Sequence, residues 1–225
     1  MTLTAVTLSI LNLVPKMNRL GVLEMIGITS GVMTNKHAHM RMFIFQVIVL
    51  SLVGCTPQPE WAKNQSGWTE LMKWSYQGDS KRIDSAIRSG VNPNEMGEKG
   101  WTPLKVAVKA GKSDVVELLL KLNADANIAD SAKMSPLMEA SLSNNYVIAK
   151  QLIVHGADTN AKLDNGWTAL IGATSYGDTE LMQLLIDGGA DVNAVRTTDN
   201  FTALSIAEYN RSDDKIKLLK KYGAK

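Results

Sequence analysis

Residues 166–195 read GWTALIGATSYGDTELMQLLIDGGADVNAV, and residues 100–130 read GWTPLKVAVKAGKSDVVELLLKLNADANIAD. Both open on Gly-Trp-Thr, place a leucine two residues after the threonine, carry an apolar pair midway and close on Ala-Asp-x-Asn. Outward from these two stretches the same landmarks return at a fixed interval. Thr69, Thr102, Ser135 and Thr168 lie 33 residues apart, and Thr202 follows 34 later. Leu71, Leu104, Leu137, Leu170 and Leu204 keep the same register, as do Asn94, Asn127, Asn160 and Asn193. A fixed period of this length marks stacked copies of one supersecondary unit.

Each landmark has a physical reason. A Thr or Ser at a helix start accepts a hydrogen bond from an otherwise unpaired backbone N–H. Pro103 and Pro136 then occupy the first helical position, where no N–H is needed. Ala107, Ala140, Ala173 and Ala207 are small enough for neighbouring helices to approach, with Trp74 at that place in the first copy. Gly78, Gly111 and Gly177 are expected to end the first helix of their copies in the left-handed conformation, and Asn144 to do so in the third. Gly90, Gly156, Gly189 and Gly223 end the second helix, with Asn123 substituting once. Leu118-Leu119, Leu152-Ile153, Leu184-Leu185 and Leu218-Leu219 supply its apolar face, which a single copy cannot bury. Lys81, Arg82 and Arg88 expose charge at one end of the stack, and Asp213, Asp214, Lys217 and Lys221 at the other.

This pattern resembles the ankyrin repeat, which runs G-x-T-P-L-H-x-A-A-x-x-G, then LL, then G-A-D-V-N. The resemblance covers about 160 residues. It implies an all-α ankyrin-repeat solenoid, with helix-turn-helix repeats of 33 residues, hairpin loops and about five repeats over residues 67–225. It also implies a protein-binding role, because ankyrin partners meet the hairpin tips and the concave face of the first helices. Carried over by position, the candidate partner-binding residues are Trp68, Tyr76, Trp101, Lys109, Met134, Leu142, Trp167, Tyr176, Phe201 and Tyr209. Tryptophan and tyrosine are enriched among binding hot spots. The sequence departs from the family in two ways. The histidine after the leucine is replaced in every copy, by Met72, Lys105, Met138, Ile171 and Ser205, so the loops between repeats are expected to be less rigid. One extra residue lies between Asn193 and Thr202, within the hairpin 194–201.

Signals for catalysis are sparse. Beyond Cys55 there is one histidine, His155, beside Gly156 at a helix end. One imidazole supports neither a Cys-His pair nor a His-rich metal site. There is no G-x-S-x-G elbow and no phosphate-binding glycine loop. Asp125, Asp158 and Asp191 fall in the Ala-Asp-x-Asn turn and are read as turn residues. No catalytic residue, metal or cofactor is expected. Formal net charge is +2, and beyond Cys55 twenty Lys/Arg face twenty-one Asp/Glu. A near-neutral domain gives no field for nucleic acid. The lysines at 215, 217, 220, 221 and 225 form one basic end, read as a solvated helix cap.

The single cysteine, Cys55, can form no disulfide within the chain. Before it, residues 42–54 read MFIFQVIVLSLVG, preceded by Lys36, His37, His39 and Arg41. Thirteen apolar residues fall short of the roughly twenty of a spanning helix and match a signal-peptide core. Leu52-Val53-Gly54-Cys55 resembles a bacterial lipobox, in which the cysteine is acylated and becomes the first mature residue. Thr56, where that family uses Asp for inner-membrane retention, implies the outer membrane, facing the periplasm. Residues 33–54 are thus read as a lipoprotein signal peptide starting at Met33, residues 1–32 as upstream of the true start, and residues 55–66 as a tether. A start after the signal would give a cytosolic form. The build suggests a monomeric protein that meets the membrane through its lipid anchor alone. It resembles periplasmic immunity lipoproteins, which neutralise a toxic effector such as a lipase or phospholipase. The alternative expectation is a scaffold for envelope or stress-response proteins.

Overall fold

The computed structural model describes residues 65–225. The upstream stretch, the signal segment, Cys55 and all but the last two residues of the tether lie outside the described residues. Among the described residues the chain folds as five helix pairs without strands. The first helices are α1 (Glu70–Gln77), α3 (Pro103–Lys109), α5 (Pro136–Leu142), α7 (Ala169–Tyr176) and α9 (Ala203–Tyr209). The second helices are α2 (Ser80–Arg88), α4 (Ser113–Lys121), α6 (Tyr146–Val154), α8 (Thr179–Asp187) and α10 (Asp213–Lys221). First helices stack on first helices and second helices on second helices, giving two parallel rows. The expected all-α ankyrin solenoid of about five repeats is what forms.

Local chemistry starts every first helix. The Thr69, Thr102, Ser135, Thr168 and Thr202 hydroxyls accept from the backbone N–H three residues on, at 3.1–3.3 Å. Each helix is only seven to nine residues long, too short to persist alone. Stability therefore comes from stacking. Leu71, Leu104, Leu137 and Leu170 are buried, as are Leu119, Leu152, Leu185 and Leu219 from the second row. Ala107, Ala140, Ala173 and Ala207 are buried where the first helices close on one another. Ser75, Ser141 and Thr174 occupy one register position, buried, with their hydroxyls donating to carbonyls of their own helices. In the last repeat that position is Glu208, which is exposed and pairs with Lys220 at 3.4 Å. This repeat thus carries an exposed ion pair where Ser75, Ser141 and Thr174 are buried hydroxyls.

A side-chain ladder joins successive repeats. Asn94, Asn127, Asn160 and Asn193 each accept from a backbone N–H of the following repeat, at 2.7–2.9 Å. Their amides donate to carbonyls of Asn123, Gly156, Gly189 and Gly223. The Asp125, Asp158 and Asp191 carboxylates accept from the N–H of Asn127, Asn160 and Asn193. Turn structure accounts for these aspartates, as the sequence reading held.

Two expectations need correcting. Gly78 and Gly111 end their helices left-handed, at φ 84° and 67°, and Asn144 does so at 48°. Gly177 instead is extended, at φ −93° and ψ −171°. Its requirement is space: a Cβ there would lie 2.8 Å from the Ala173 carbonyl oxygen and 3.0 Å from Asn144 Oδ1. That close approach lets the Asp178 N–H donate to Asn144 Oδ1 at 3.2 Å. The basic end is also not wholly solvated. Lys215 is half-buried, and its ammonium donates to the carbonyls of Thr174 and Gly177 at 2.7 and 2.8 Å. It caps the C-terminal end of α7, where the helix dipole favours a cation. Desolvation holds its pKa below the usual lysine value, with Asp178 pulling the other way.

Candidate protein-binding surface

The hairpins between repeats set the surface. Three are closed by an N–H bond to the carbonyl four residues on: Gly97 to Trp101, Asp130 to Met134 and Leu163 to Trp167. The last closes from Arg196 to Phe201, so the extra residue sits inside it as expected. Adjacent hairpins bond through the backbone from Ser131 to the Lys99 carbonyl and from Thr197 to the Asn165 carbonyl, each at 2.8 Å. Gly100 and Gly166 make these contacts possible. A Cβ would lie 3.2 Å from Ser131 N at the first and 2.4 Å from the Val195 carbonyl oxygen at the second. Numbered by the repeat that each one opens, these are the second to fifth hairpins, and the third, residues 130–134, differs. Lys133 holds the equivalent left-handed position at φ 62°, and among the described residues no backbone hydrogen bond joins the third and fourth hairpins. A side-chain ion pair, Lys133 with Asp164, spans that seam.

The candidate residues gather in two groups. In the first, the Trp68 ring meets Tyr76 edge-on at 5.9 Å and Trp101 at 6.2 Å. The Lys109 ammonium lies 5.9 Å from the Trp101 centroid and 2.7 Å from Glu139 Oε1. Below this group runs Lys105, 1% exposed. Its ammonium donates to the Met134 carbonyl at 2.8 Å and stands 3.4 Å from Asp130 and 3.5 Å from Glu139. Burial pushes its pKa below the ordinary lysine value, against the pull of Asp130 and Glu139. Desolvation outweighs Coulomb attraction here, as is usual for buried ions.

In the second group the Arg196 guanidinium lies 5.4 Å from the Trp167 centroid and 5.5 Å from that of Phe201. Arg196 Nε donates to Asp199 Oδ1 at 2.9 Å, and its Nη2 to Oδ2. This pairing raises the arginine pKa and lowers that of Asp199. Trp167 and Leu142 both border Gly172, whose Cβ would lie 3.4 Å from the indole nitrogen and 3.7 Å from Leu142 Cδ2. Tyr176 and Tyr209, near the ends of α7 and α9, are 66% and 79% exposed. Met134 is half-buried and contributes its carbonyl.

Six of the ten positions therefore fall in two aromatic and cationic clusters beside the hairpins, Trp68, Tyr76, Trp101 and Lys109 in one and Trp167 and Phe201, bridged by Arg196, in the other. Sequence reasoning missed the polar groups that hold them. Lys105 was read as a lost histidine that loosens the loop; in the structure it ties the third hairpin instead. The signal was its charge, set against Met72, Met138 and Ile171 at the same register. Arg196 lay in the lengthened hairpin with no repeat-based cue. His155 is exposed, with Nδ1 2.9 Å from the Gln151 carbonyl oxygen. Among the described residues no group of His, Cys, Asp and Glu could hold a metal ion. Among them no helix is long and apolar enough to cross a membrane.

A family model described as ankyrin repeats (3 copies) matches at residues 45–130, 71–162 and 137–225. No curated protein matches the chain.

Proposed function

The chain belongs to the ankyrin-repeat family, and from that premise we propose that it is an immunity protein, binding and neutralising a toxic effector at the bacterial envelope. Ankyrin repeats imply a protein-binding module. The observation that carries the reading to this surface is the pair of preassembled patches, Trp68–Tyr76–Trp101–Lys109 and Trp167–Arg196–Phe201. Rigid aromatic and arginine anchors lose little conformational freedom on binding, so more of their contact energy remains as affinity. The function works by occlusion: the patches cover the mouth or lid of an enzyme, and the chain itself performs no catalysis. A lipase or phospholipase effector suits the place, since its substrate is the membrane itself.

Place is argued from the sequence. Leu52-Val53-Gly54-Cys55 after an apolar run supports a lipid anchor on Cys55, at the outer membrane facing the periplasm. Several acyl chains hold a protein stably where one chain binds reversibly.

Affinity capture tests the reading. The full chain, tagged at its C-terminus and gently extracted from its own envelope, should co-purify with a stoichiometric toxin-like enzyme whose activity it blocks. Recovery of envelope-assembly proteins instead would make it a scaffold. Trp101→Ala with Trp167→Ala should weaken that binding by about 2 kcal/mol or more. Unchanged affinity with an intact fold would show that the partner meets another face. Cys55→Ser should move the protein out of the membrane fraction; unchanged membrane attachment would sink the anchor.

A further inference from the structure

In the register position after the conserved-spacing leucine, the five repeats carry Met72, Lys105, Met138, Ile171 and Ser205. Met72, Met138 and Ile171 are fully buried, and Ser205 turns back to cap its own helix through Thr202. Lys105 is as buried as the methionines on either side. An apolar side chain of similar length therefore fills this place in the same solenoid twice over, and the fold does not call for a charge there. Burying an ammonium costs several kcal/mol unless its partners compensate. The charge at Lys105 must be sought in what it holds.

Two of its three oxygen partners, the Met134 carbonyl and Glu139, belong to the next repeat, and Asp130 stands in the hairpin that leads into it. The Met134 carbonyl accepts at 2.8 Å; Asp130 Oδ2 and Glu139 Oε2 stand at 3.4 and 3.5 Å. Each carboxylate uses its other oxygen elsewhere. Asp130 Oδ1 accepts from the N–H groups of Ala132 and Met134, at 3.0 Å each, which shapes the third hairpin. Glu139 Oε1 accepts from Lys109 at 2.7 Å, and Lys109 lies over Trp101. One buried ammonium thus connects a hairpin tip on one side to a cation–aromatic pair on the other.

We propose that Lys105 is a positioning residue for partner binding, which fixes the third hairpin and the Glu139–Lys109 pair as one preformed contact patch, and that this patch takes an uncharged, apolar segment of the partner protein. The inference rests on the protein-binding reading above. The preference for an uncharged segment follows from the local balance. Among the described residues Lys105 and Lys109 are offset by Asp130 and Glu139, so Trp101, Met134 and the stem of Lys109 are set about a site whose paired charges sum to zero. A charged segment would be desolvated there without a counter-charge.

The test uses the full chain and the purified protein that co-purifies with it. The principal variant is Lys105→Met with Glu139→Gln, which keeps side-chain length and removes one charge of each sign, so that the net charge of the site is unchanged. Lys105→Met alone is the second variant. Three readouts are taken well below the unfolding midpoint: affinity, dissociation rate, and amide exchange at Ala132 and Met134. The expected result is at least tenfold weaker binding through faster dissociation, with faster exchange confined to the third hairpin. Wild-type affinity in either folded variant overturns the proposal. So does failure of both variants to fold, which would make Lys105 a residue of stability alone. Affinity of the wild-type chain should be nearly independent of salt; a steep fall would overturn the uncharged partner segment. Loss of affinity in Trp101→Ala with Trp167→Ala but not in the Lys105 variants would leave the protein-binding reading standing and remove only this one.

Discussion

The junction of the second and third repeats and the junction of the fourth and fifth each set a cation beside a tryptophan, by opposite means. At the first, Lys109 over Trp101 is held from beneath by Glu139, which Lys105 holds in turn, and Lys105 itself is sealed from water. At the second, Arg196 stacks on Trp167 and Phe201 and is held by Asp199 of its own hairpin, at the surface. The first arrangement is inter-repeat and buried; the second pairs its charges within one loop. Burial decides at which of them the loss of one partner destabilises the fold. An uncompensated charge is costly only where water cannot reach it, so the same chemistry is structural at one junction and superficial at the other.

That contrast can be broken experimentally. The largest effect should come from Lys105→Ala, which opens a cavity and leaves two shielded carboxylates short of a cation. A loss of about 3–5 kcal/mol is expected in urea unfolding, and a loss below 1 would mean water reaches the site. Next come the hairpin seams. Gly166→Ala forces a left-handed alanine against the Val195 carbonyl and should cost roughly 1–3 kcal/mol. Lys133→Gly sits at the equivalent position of the open seam, where it relieves the left-handed lysine and forfeits only an exposed ion pair. Thermal unfolding should show no loss, or a gain of up to about 1 kcal/mol. Equal costs at the two positions would show that the third and fourth hairpins are packed like the others.

Arg196→Met should cost less than Lys105→Ala by a wide margin, about 0.5–1 kcal/mol for a solvent-accessible cation–aromatic contact. The smallest effect is in acid. The Leu181 N–H, with Asn144 second, holds the Asp178 carboxyl below its usual value of 3.8. A carboxylate depressed on folding stabilises the fold fully above the unfolded value, and that stability fades as pH falls through the lower, folded one. Asp178→Asn should therefore lower stability slightly near neutrality and flatten the profile below pH 3.8, where the wild type loses the same contribution.

The sequence spoke most clearly where chemistry is local. Thr102 and Thr168 cap helices through an N–H three residues away, and Asp158 bonds two residues along, so their roles were legible from spacing. Lys105 and Lys215 act on atoms 29 and 41 residues away. No period reveals that, because each breaks the repeat. Gly177 shows the same limit in a smaller way: its glycine was legible, but the reason was a neighbour's Asn144 and not its own backbone angle. Of the binding face, the aromatic positions were read from register, while the carboxylates and the arginine that set them in place were not.

The asparagine ladder has a consequence for how such a chain can lengthen or shorten. The joint at Asn160 and the joint at Asn193 use the same atoms in the same order, each reaching a glycine carbonyl and a backbone N–H one repeat onward. Excising residues 161–193 would let Asn160 inherit the partners of Asn193, so the ladder itself closes over such a deletion, while Lys215 would lose the Thr174 and Gly177 carbonyls that hold it. The second and third repeats are tied as well. Lys105 and Glu139 are a lock and its ward, cut for each other on adjacent copies, and recombination that parts them strands a charge. The ladder alone would thus accept a change in length, and the cations that bridge particular copies, Lys105 and Lys215, are what restrict it.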